Sequence, residues 1–409
     1  MKEWKTYKLG DLINIQSGGT PNKAVTAYWG GNIPWISAKT MYVDFITDSD
    51  IHITEEGLKN GSKLAPVGSI LLLTRGSGLF NRIPVCLVKE AVAYNQDIKC
   101  ITVKDNSITS NTFIFFWLYS QKELLSGILE TTGIGAGKID SGRLLDINVT
   151  LPDIETQNKF ILLCSSIFEK IEINKQINDN LEQQAQALYK SWFVDFDPFK
   201  GGDFIDSEIG EIPAGWSIVK FGDITEIPKK TINPQRFPDS TFYHYSLPAC
   251  DNGLIPEIQA GKDIMSNKII LQNNTTLFSK LNPRIKRIWF TCEVLPNSIC
   301  STEFIPFRAK DDNESSYIFS IVNSDAFYAT VMGCVNGATG SHQRFHAEDT
   351  EDFLCPYNKD VVNEFSKLIE PILSQMHDLR HENVMLASTR DTLLPKLMSG
   401  ELKINEIDG

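Results

Sequence analysis

The chain predicts an α/β (α+β) protein: two similar domains separated by two long antiparallel coiled-coil helices, with pseudo-two-fold symmetry. Three observations carry this reading. Trp4-Lys5…Leu9-Gly10-Asp11-Leu12 recurs as Trp216-Ser217…Phe221-Gly222-Asp223-Ile224, an offset of 212 residues. A heptad-patterned helix beginning near Phe160 recurs near Phe365, an offset of 205. Ahead of each helix, short β-type runs alternate with turn signals. A domain–helix–domain–helix chain presents two similar surfaces at a fixed separation, which is the geometry of a ruler between two binding sites.

The first domain is placed at 1–150. Ile33-Pro34-Trp35-Ile36-Ser37, Ser69-Ile70-Leu71-Leu72-Leu73-Thr74 and Ile98-Lys99-Cys100-Ile101-Thr102-Val103 read as strands. Residues 113–127 read as a helix capped by Asn111 or Thr112. The central helix follows at 151–197. Phe160, Cys164, Ile167, Ile171, Asn174, Asn178, Leu181, Ala185, Leu188 and Trp192 fall at alternating spacings of four and three, a seam for a partner helix. Asp153 after Pro152 is its expected N-cap, and Asp197-Pro198 with Gly201-Gly202 should end it. A polar linker at 198–215 leads to a second domain at 216–356. The last helix, 357–409, repeats the seam as Phe365, Ile369, Ile372, Met376, Leu379, Asn383, Leu386, Arg390, Leu393 and Leu397. Pro371 should kink it, and Pro395 should kink or end it. Asn178 and Asn383 lie near the helix midpoints, and antiparallel packing would bring the two asparagines together as a register lock.

At 409 residues with 42% hydrophobic and 10% aromatic content, the chain folds as two to three domains. Its longest apolar runs, 113–119 and 70–73, are far too short to cross a bilayer. Met1-Lys2-Glu3-Trp4 leads into no apolar stretch, so no signal peptide is expected and the cytoplasm is the expected compartment. The eight cysteines form no CxxC pair and are read as buried, reduced thiols rather than metal ligands. The net charge of −12 would argue against nucleic acid if it were even. It is not. Residues 1–150 hold 15 basic and 14 acidic side chains, whereas 151–211 hold 5 and 12. The acidity collects in the helix and linker, and a DNA face needs only a local basic surface.

Signals for catalysis are weak. Asp197-Pro198-Phe199 lacks the second proline of the amino-methyltransferase motif, and no GxGxxG follows a strand. Gly133-Ile134-Gly135-Ala136-Gly137-Lys138 misses the phosphate-loop spacing, and Ile139 replaces the hydroxyl; Lys138 stays a candidate DNA contact. His377 and His381 are four apart, but Asp378 stands where a zinc protease needs glutamate, and the seam places both outward on a solvated face. What remains is a binding vocabulary. Lys280, Arg284, Lys286 and Arg287 fall within eight residues, with Lys229 and Lys230 upstream and Ser341-His342-Gln343-Arg344-Phe345-His346 downstream. Such donors contact phosphates, and arginine can grip guanine. In the first domain the candidates are Thr20 in Gly18-Gly19-Thr20-Pro21, Tyr28, Arg75, and Asn95 with Gln96, the last two suited to adenine.

The ordered set of motifs resembles one family, the DNA-specificity subunits of Type I restriction–modification systems. Gly18-Gly19-Thr20-Pro21, Tyr28-Trp29 and Ile33-Pro34-Trp35-Ile36-Ser37 look like the opening of its first target-recognition domain, and Asn95-Gln96-Asp97 is similar to a later element of it. Leu151-Pro152…Gln157 and Ala187-Leu188-Tyr189…Trp192-Phe193-Val194-Asp195-Phe196-Asp197 resemble its central helical region. Glu208-Ile209-Gly210-Glu211-Ile212-Pro213-Ala214-Gly215-Trp216 resembles the re-entry into the second recognition domain, and Leu393-Leu394-Pro395-Lys396-Leu397-Met398-Ser399-Gly400-Glu401 the C-terminal signature. Thr156 departs from the family's Pro-x-x-x-Glu-Gln pattern, and no Gln follows Asn363-Glu364.

The resemblance implies a subunit that catalyses nothing itself. It would bind double-stranded DNA at a bipartite, asymmetric site, place two methyltransferase subunits for N6-adenine methylation, and recruit ATP-driven restriction/translocase subunits. It implies no cofactor here, with S-adenosylmethionine, ATP and Mg on the partner subunits, and no membrane. Competing readings are a pseudo-symmetric DNA-binding regulator and a scaffold that binds proteins without DNA.

Overall fold

A computed structural model describes residues 4–133, 135–335 and 343–402. The chain divides into two compact units, Met1–Ile171 with Leu386–Gly409, and Glu172–Met385. Each unit takes in part of both long helices.

In the first unit, Lys5–Lys8 pairs antiparallel with Asn148–Leu151 and closes the domain near its ends. A five-stranded sheet runs in the order Ile13–Ser17, Ile98–Val103, Ile70–Leu73, Val85–Val88, Phe45–Ile46. A four-stranded sheet contains Trp29–Ile36 and Val92–Tyr94, and a three-stranded sheet holds Leu129–Thr131, Gly137–Ile139 and Arg75–Gly76. The helix expected at 113–127 is two helices, Asn111–Ser120 and Lys122–Gly127. Ser110 is the cap: its Oγ accepts the Phe113 N–H at 3.2 Å. Asn111 instead accepts the Val103 N–H at 2.7 Å, tying the helix to a strand.

The second unit repeats this plan. Ser217–Lys220 pairs with Leu354–Tyr357, a four-stranded sheet is built on Thr275–Ser279 and Phe304–Ala309, and a five-stranded sheet on Ser298–Cys300 and Thr241–Tyr245. The repetition reaches single hydrogen bonds. Leu9 N donates to Ile147 O and Phe221 N to Phe353 O, both at 2.8 Å. Thr74 N donates to Asp97 O at 2.8 Å and Lys280 N to Glu303 O at 2.9 Å. The turn Asn95-Gln96-Asp97, closed by Asp97 N on Asn95 Oδ1 at 3.1 Å, has its counterpart in Ser301-Thr302-Glu303, closed by Glu303 N on Ser301 Oγ at 3.2 Å. These two turns share no residue type, so the sequence repeat did not expose them.

The two long helices are Ile154–Phe193 and Lys359–Ser399. Asp153 caps the first, accepting the Thr156 N–H at 3.0 Å. Buried Gln157 pins that helix start through Nε2 to the carbonyls of Ile108 and Pro152. Asn358 Oδ1 accepts the Val361 N–H at the start of the second. That helix continues through Pro371 and Pro395, so Pro395 does not end it. A proline inside a helix costs about 3 kcal/mol, but Ile369 and Leu373 on either side of Pro371 are buried, as are Leu394 and Leu397 around Pro395. Burying each such side chain returns about 1.5–3 kcal/mol.

The seam shifts toward the helix ends. Phe168, Tyr189 and Phe193 are buried where Ile167, Leu188 and Trp192 were expected, and Leu373 replaces Ile372. There the helices pack on a domain core as well as on each other, and a wider apolar face with a 3.6-residue period serves better than a strict heptad. Within the first unit Phe160, Cys164 and Phe168 share a core with Leu394, Leu397 and Met398. Arg390, a cation at a seam position, lies over the rings of Phe168 and Tyr119 and reaches Asp44 at 3.2 Å. Within the second unit Tyr189 and Phe193 lie against Phe365, with ring centroids 6.3 and 5.0 Å apart. Asn174 meets Asn383 there, so the helices run antiparallel.

Candidate nucleic-acid interface

The register pair is not the expected one. Asn174, fully buried, donates through Nδ2 to Asn383 Oδ1 at 2.9 Å and to Glu382 Oε2 at 2.7 Å. Asn178, one turn on, is buried and its Oδ1 accepts no hydrogen bond.

In the first unit the chain leaves Ile70–Leu73 through Thr74, forms the short strand Arg75–Gly76 and turns through Ser77–Phe80. Arg75 stands opposite Lys138, and Gly76 opposite Gly137. Glycine suits position 137, since a Cβ there would crowd Leu79 Cβ at 3.1 Å and Gly76 O at 3.3 Å. The strands therefore close together and set two cations side by side. Neither Arg75 nor Lys138 makes a side-chain hydrogen bond or ion pair among the described residues. Phe80, 52% exposed, has its ring edge beside Gly137. Tyr42, 57% exposed, reaches Gly78 with its hydroxyl and lies under Arg82, which is 3.6 Å from Asp44. Two aromatic faces and three cations thus share one surface, a combination suited to a polyanion with stacked bases. Sequence reading found Arg75 and Lys138 separately and missed Tyr42, Phe80 and Arg82, because strand pairing across 63 residues brings them together.

The other first-unit candidates divide. Thr20 donates to Gln96 Oε1 at 2.6 Å, leaving the exposed Gln96 amide nitrogen available. Asn95 does not fit an adenine reader: it is buried, and its Oδ1 accepts the Asp97 N–H. Tyr28 is half-buried, with its carbonyl accepting the Thr54 N–H at 3.0 Å.

In the second unit the structure sorts the basic loop. Arg284 is exposed and its guanidinium makes no hydrogen bond or ion pair among the described residues; only its carbonyl is engaged, by Tyr328 Oη at 3.2 Å. Lys286 is exposed along its side chain, yet its Nζ donates to Asn323 O at 2.6 Å, at the C-terminus of Ser315–Asn323, where partial desolvation of the amine lowers it below the ordinary lysine range. Arg287 grips Asp251 with two bonds of 2.6 and 2.9 Å, and its side chain is 14% exposed. Both cations are thus engaged by partners within the fold. Lys280 is half-buried on the strand edge. Arg344 bridges Leu281 across a short antiparallel contact and pairs with Glu303 at 3.1 and 3.4 Å. His342 lies outside the described residues. Lys229 and Lys230 are exposed, the former beside a cavity of about 190 Å³ lined by Phe221, Phe307, Glu226, Glu348 and Glu351.

The tempting catalytic patterns resolve into structure. Asp197 takes hydrogen bonds from Ser191 and Lys200 at the end of the first long helix. Thr132 and Ala136 close the Gly-rich segment into a hairpin tip. His377 and His381 are in ring contact at 4.4 Å, and His377 is half-buried rather than solvated. Among the described residues no group of His, Cys, Asp and Glu could hold a metal ion. Cys164 and Cys300 are buried, and that burial pushes both thiols up to about 12, away from nucleophilic chemistry. No described helix is long and apolar enough to cross a membrane.

Residues 1–183 match the family described as Type I restriction modification DNA specificity domain. The Type I restriction enzyme MjaIX specificity subunit of Methanocaldococcus jannaschii is 26% identical over 423 aligned positions, covering 99% of this chain and 95% of that protein. The EcoR124I/EcoR124II specificity subunit of Escherichia coli is 30% identical over 193 positions, 46% of each chain. Among solved structures, the type I restriction–modification S subunit from M. genitalium shares the fold with a TM-score of 0.57 at 13% identity, over 96% of both chains.

Proposed function

Since the chain belongs to the DNA-specificity subunits of type I restriction–modification systems, we propose that its two units each read one half of a bipartite, asymmetric DNA site. The observation that carries this is the repetition of one loop architecture in both units, with unlike side chains at matching positions. Arg75, Lys138 and Phe80 stand in the first where Leu281, Arg344 and the Ile285–Lys286 tip stand in the second. Equal scaffolds with different contact residues suit two different half-sites.

The subunit is non-catalytic. Its partners are double-stranded DNA and the other subunits of the complex: two methyltransferase subunits placed for N6-adenine methylation, and restriction/translocase subunits recruited to unmodified sites. S-adenosylmethionine, ATP and Mg act on those partners and none on this chain. The working compartment is the cytoplasm. Co-expression with the methyltransferase encoded beside it, followed by mapping of methylated adenines across the host genome, tests the reading. One bipartite motif with a fixed gap is expected. Specific DNA binding by this chain alone, with no partner methylation, would favour the regulator, and absence of any DNA binding the scaffold.

A further inference from the structure

We propose that Arg344, held side-on by Glu303, reads a guanine in the half-site contacted by the second unit. The inference rests on the DNA-recognition reading above and deepens it to one residue and one base.

The argument begins with which edge of the guanidinium is occupied. Glu303 accepts from Nε at 3.1 Å and from Nη2 at 3.4 Å, the side-on arrangement. The end-on edge, with both Nη1 protons and the second Nη2 proton, points away from Glu303. That edge is a planar two-donor fork, and in the major groove guanine alone presents two acceptors, N7 and O6, at matching spacing. Asp251 holds Arg287 side-on in the same way, but that side chain is 14% exposed, against 39% for Arg344. Arg308, at 22%, has its terminal nitrogens taken up by Glu226 and Asp312. Arg344 is therefore the accessible fork among these three.

Both partners are fixed from behind. Phe345, next to Arg344, is fully buried, and Arg344 itself bridges Leu281. Glu303 sits in the turn closed by Ser301 Oγ, and its carbonyl accepts the Lys280 N–H at 2.9 Å. A guanidinium restrained by two bonds loses less entropy on binding, and such preorganisation favours discrimination. The carboxylate also cancels most of the long-range attraction of Arg344 for phosphates, leaving hydrogen-bond geometry as its main contribution. Free Arg284 nearby keeps the phosphate role. In the first unit the matching positions hold Asp97 and Lys138. Lysine has no planar fork, so this device belongs to the second unit.

The test uses the chain co-expressed with its methyltransferase, reading the methylated motif by genome-wide mapping and the affinity of the complex by titration of duplex oligonucleotides. Arg344→Ala should make one guanine position of one half-site degenerate while the gap and the other half-site stay unchanged. The affinity ratio between the cognate duplex and one with that G·C pair replaced by A·T should fall roughly 10- to 100-fold. Glu303→Gln, which keeps one acceptor, should lower that ratio less than Glu303→Ala, and only at the same position. Arg344→Lys keeps the charge without the fork: methylation that returns with the position still degenerate supports the proposal, even if Arg344→Ala abolishes methylation. An unchanged motif in Arg344→Ala or Arg344→Lys overturns it. So does an equal loss on all sequences with a shallower salt dependence, which marks a phosphate contact. A wild-type complex that methylates no specific motif would overturn the functional reading itself. An intact wild-type motif without the Arg344 effect would overturn this inference alone.

Discussion

Arg284 and Arg287 are three residues apart, and the sequence offers no reason to treat them differently. Asp251, 36 residues upstream, makes the difference by closing a bidentate pair on Arg287 alone. Residue type and local spacing thus reveal a cationic loop, but which cations are free is decided by partners distant in sequence. The same holds for Asn95 and Lys286, whose polar groups are engaged by the Asp97 N–H and by the carbonyl of Asn323 at a helix C-terminus. The distinction is measurable. Arg287→Ala removes a mostly buried guanidinium and its two bonds to the half-exposed Asp251 carboxylate, and should lower unfolding stability by about 1 kcal/mol. Arg284→Ala should leave stability within about 0.5 kcal/mol and lower DNA affinity on all sequences, reducing the salt slope by about 1. Chemical denaturation and DNA titration at several salt concentrations measure both, and equal stability losses would show that the loop sorting is wrong.

Among the elements, the long helices were the most legible, because a seam maintained over 40 residues needs only counting and is insensitive to distant partners. The register was less legible. Asn178 and Asn383 match by position, yet Asn174 makes the bond, and Phe168, Tyr189 and Phe193 are buried off the strict heptad. The two asparagines of the first helix should therefore respond in opposite ways. Asn174→Leu would remove the two hydrogen bonds it donates to Asn383 and Glu382 and should cost about 1 kcal/mol. Asn178→Leu removes a buried oxygen that accepts nothing and should raise the thermal midpoint. Destabilisation by both would restore Asn178 to the lock. The second helix carries a pH signature. Burial, and next the adjacent His381, lowers the His377 imidazole below its ordinary 6.5. Folding then favours the neutral ring, so its contribution is complete above about pH 6.5 and is lost as pH falls toward the folded-state value. Denaturant midpoints measured between pH 7.5 and 5.5 should decline, and His377→Gln should flatten the decline.

At the scale of the whole molecule, the repeat was visible through a few residues, whereas the structure repeats in backbone hydrogen bonds whose side chains differ. A scaffold is specified by burial and pairing, which tolerate substitution, so a duplicated fold outlasts its sequence likeness. That leaves the loops free to diverge, and on the proposed reading it leaves the helices to fix the gap between half-sites. Both helices cross from one unit to the other, at Ile171–Glu172 and at Met385–Leu386. Seven residues inserted at both crossings keep the apolar seam on the same face and leave the contacts inside each unit intact. At about 1.5 Å per residue they lengthen each helix by about 10 Å. DNA rises about 3.4 Å per base pair, so the gap in the methylated motif should grow by about three base pairs while both half-site sequences persist. Genome-wide mapping of methylated adenines reads the gap directly. An insertion variant that is folded and methylates with the original gap would show that the helices carry the units without measuring the distance between the half-sites.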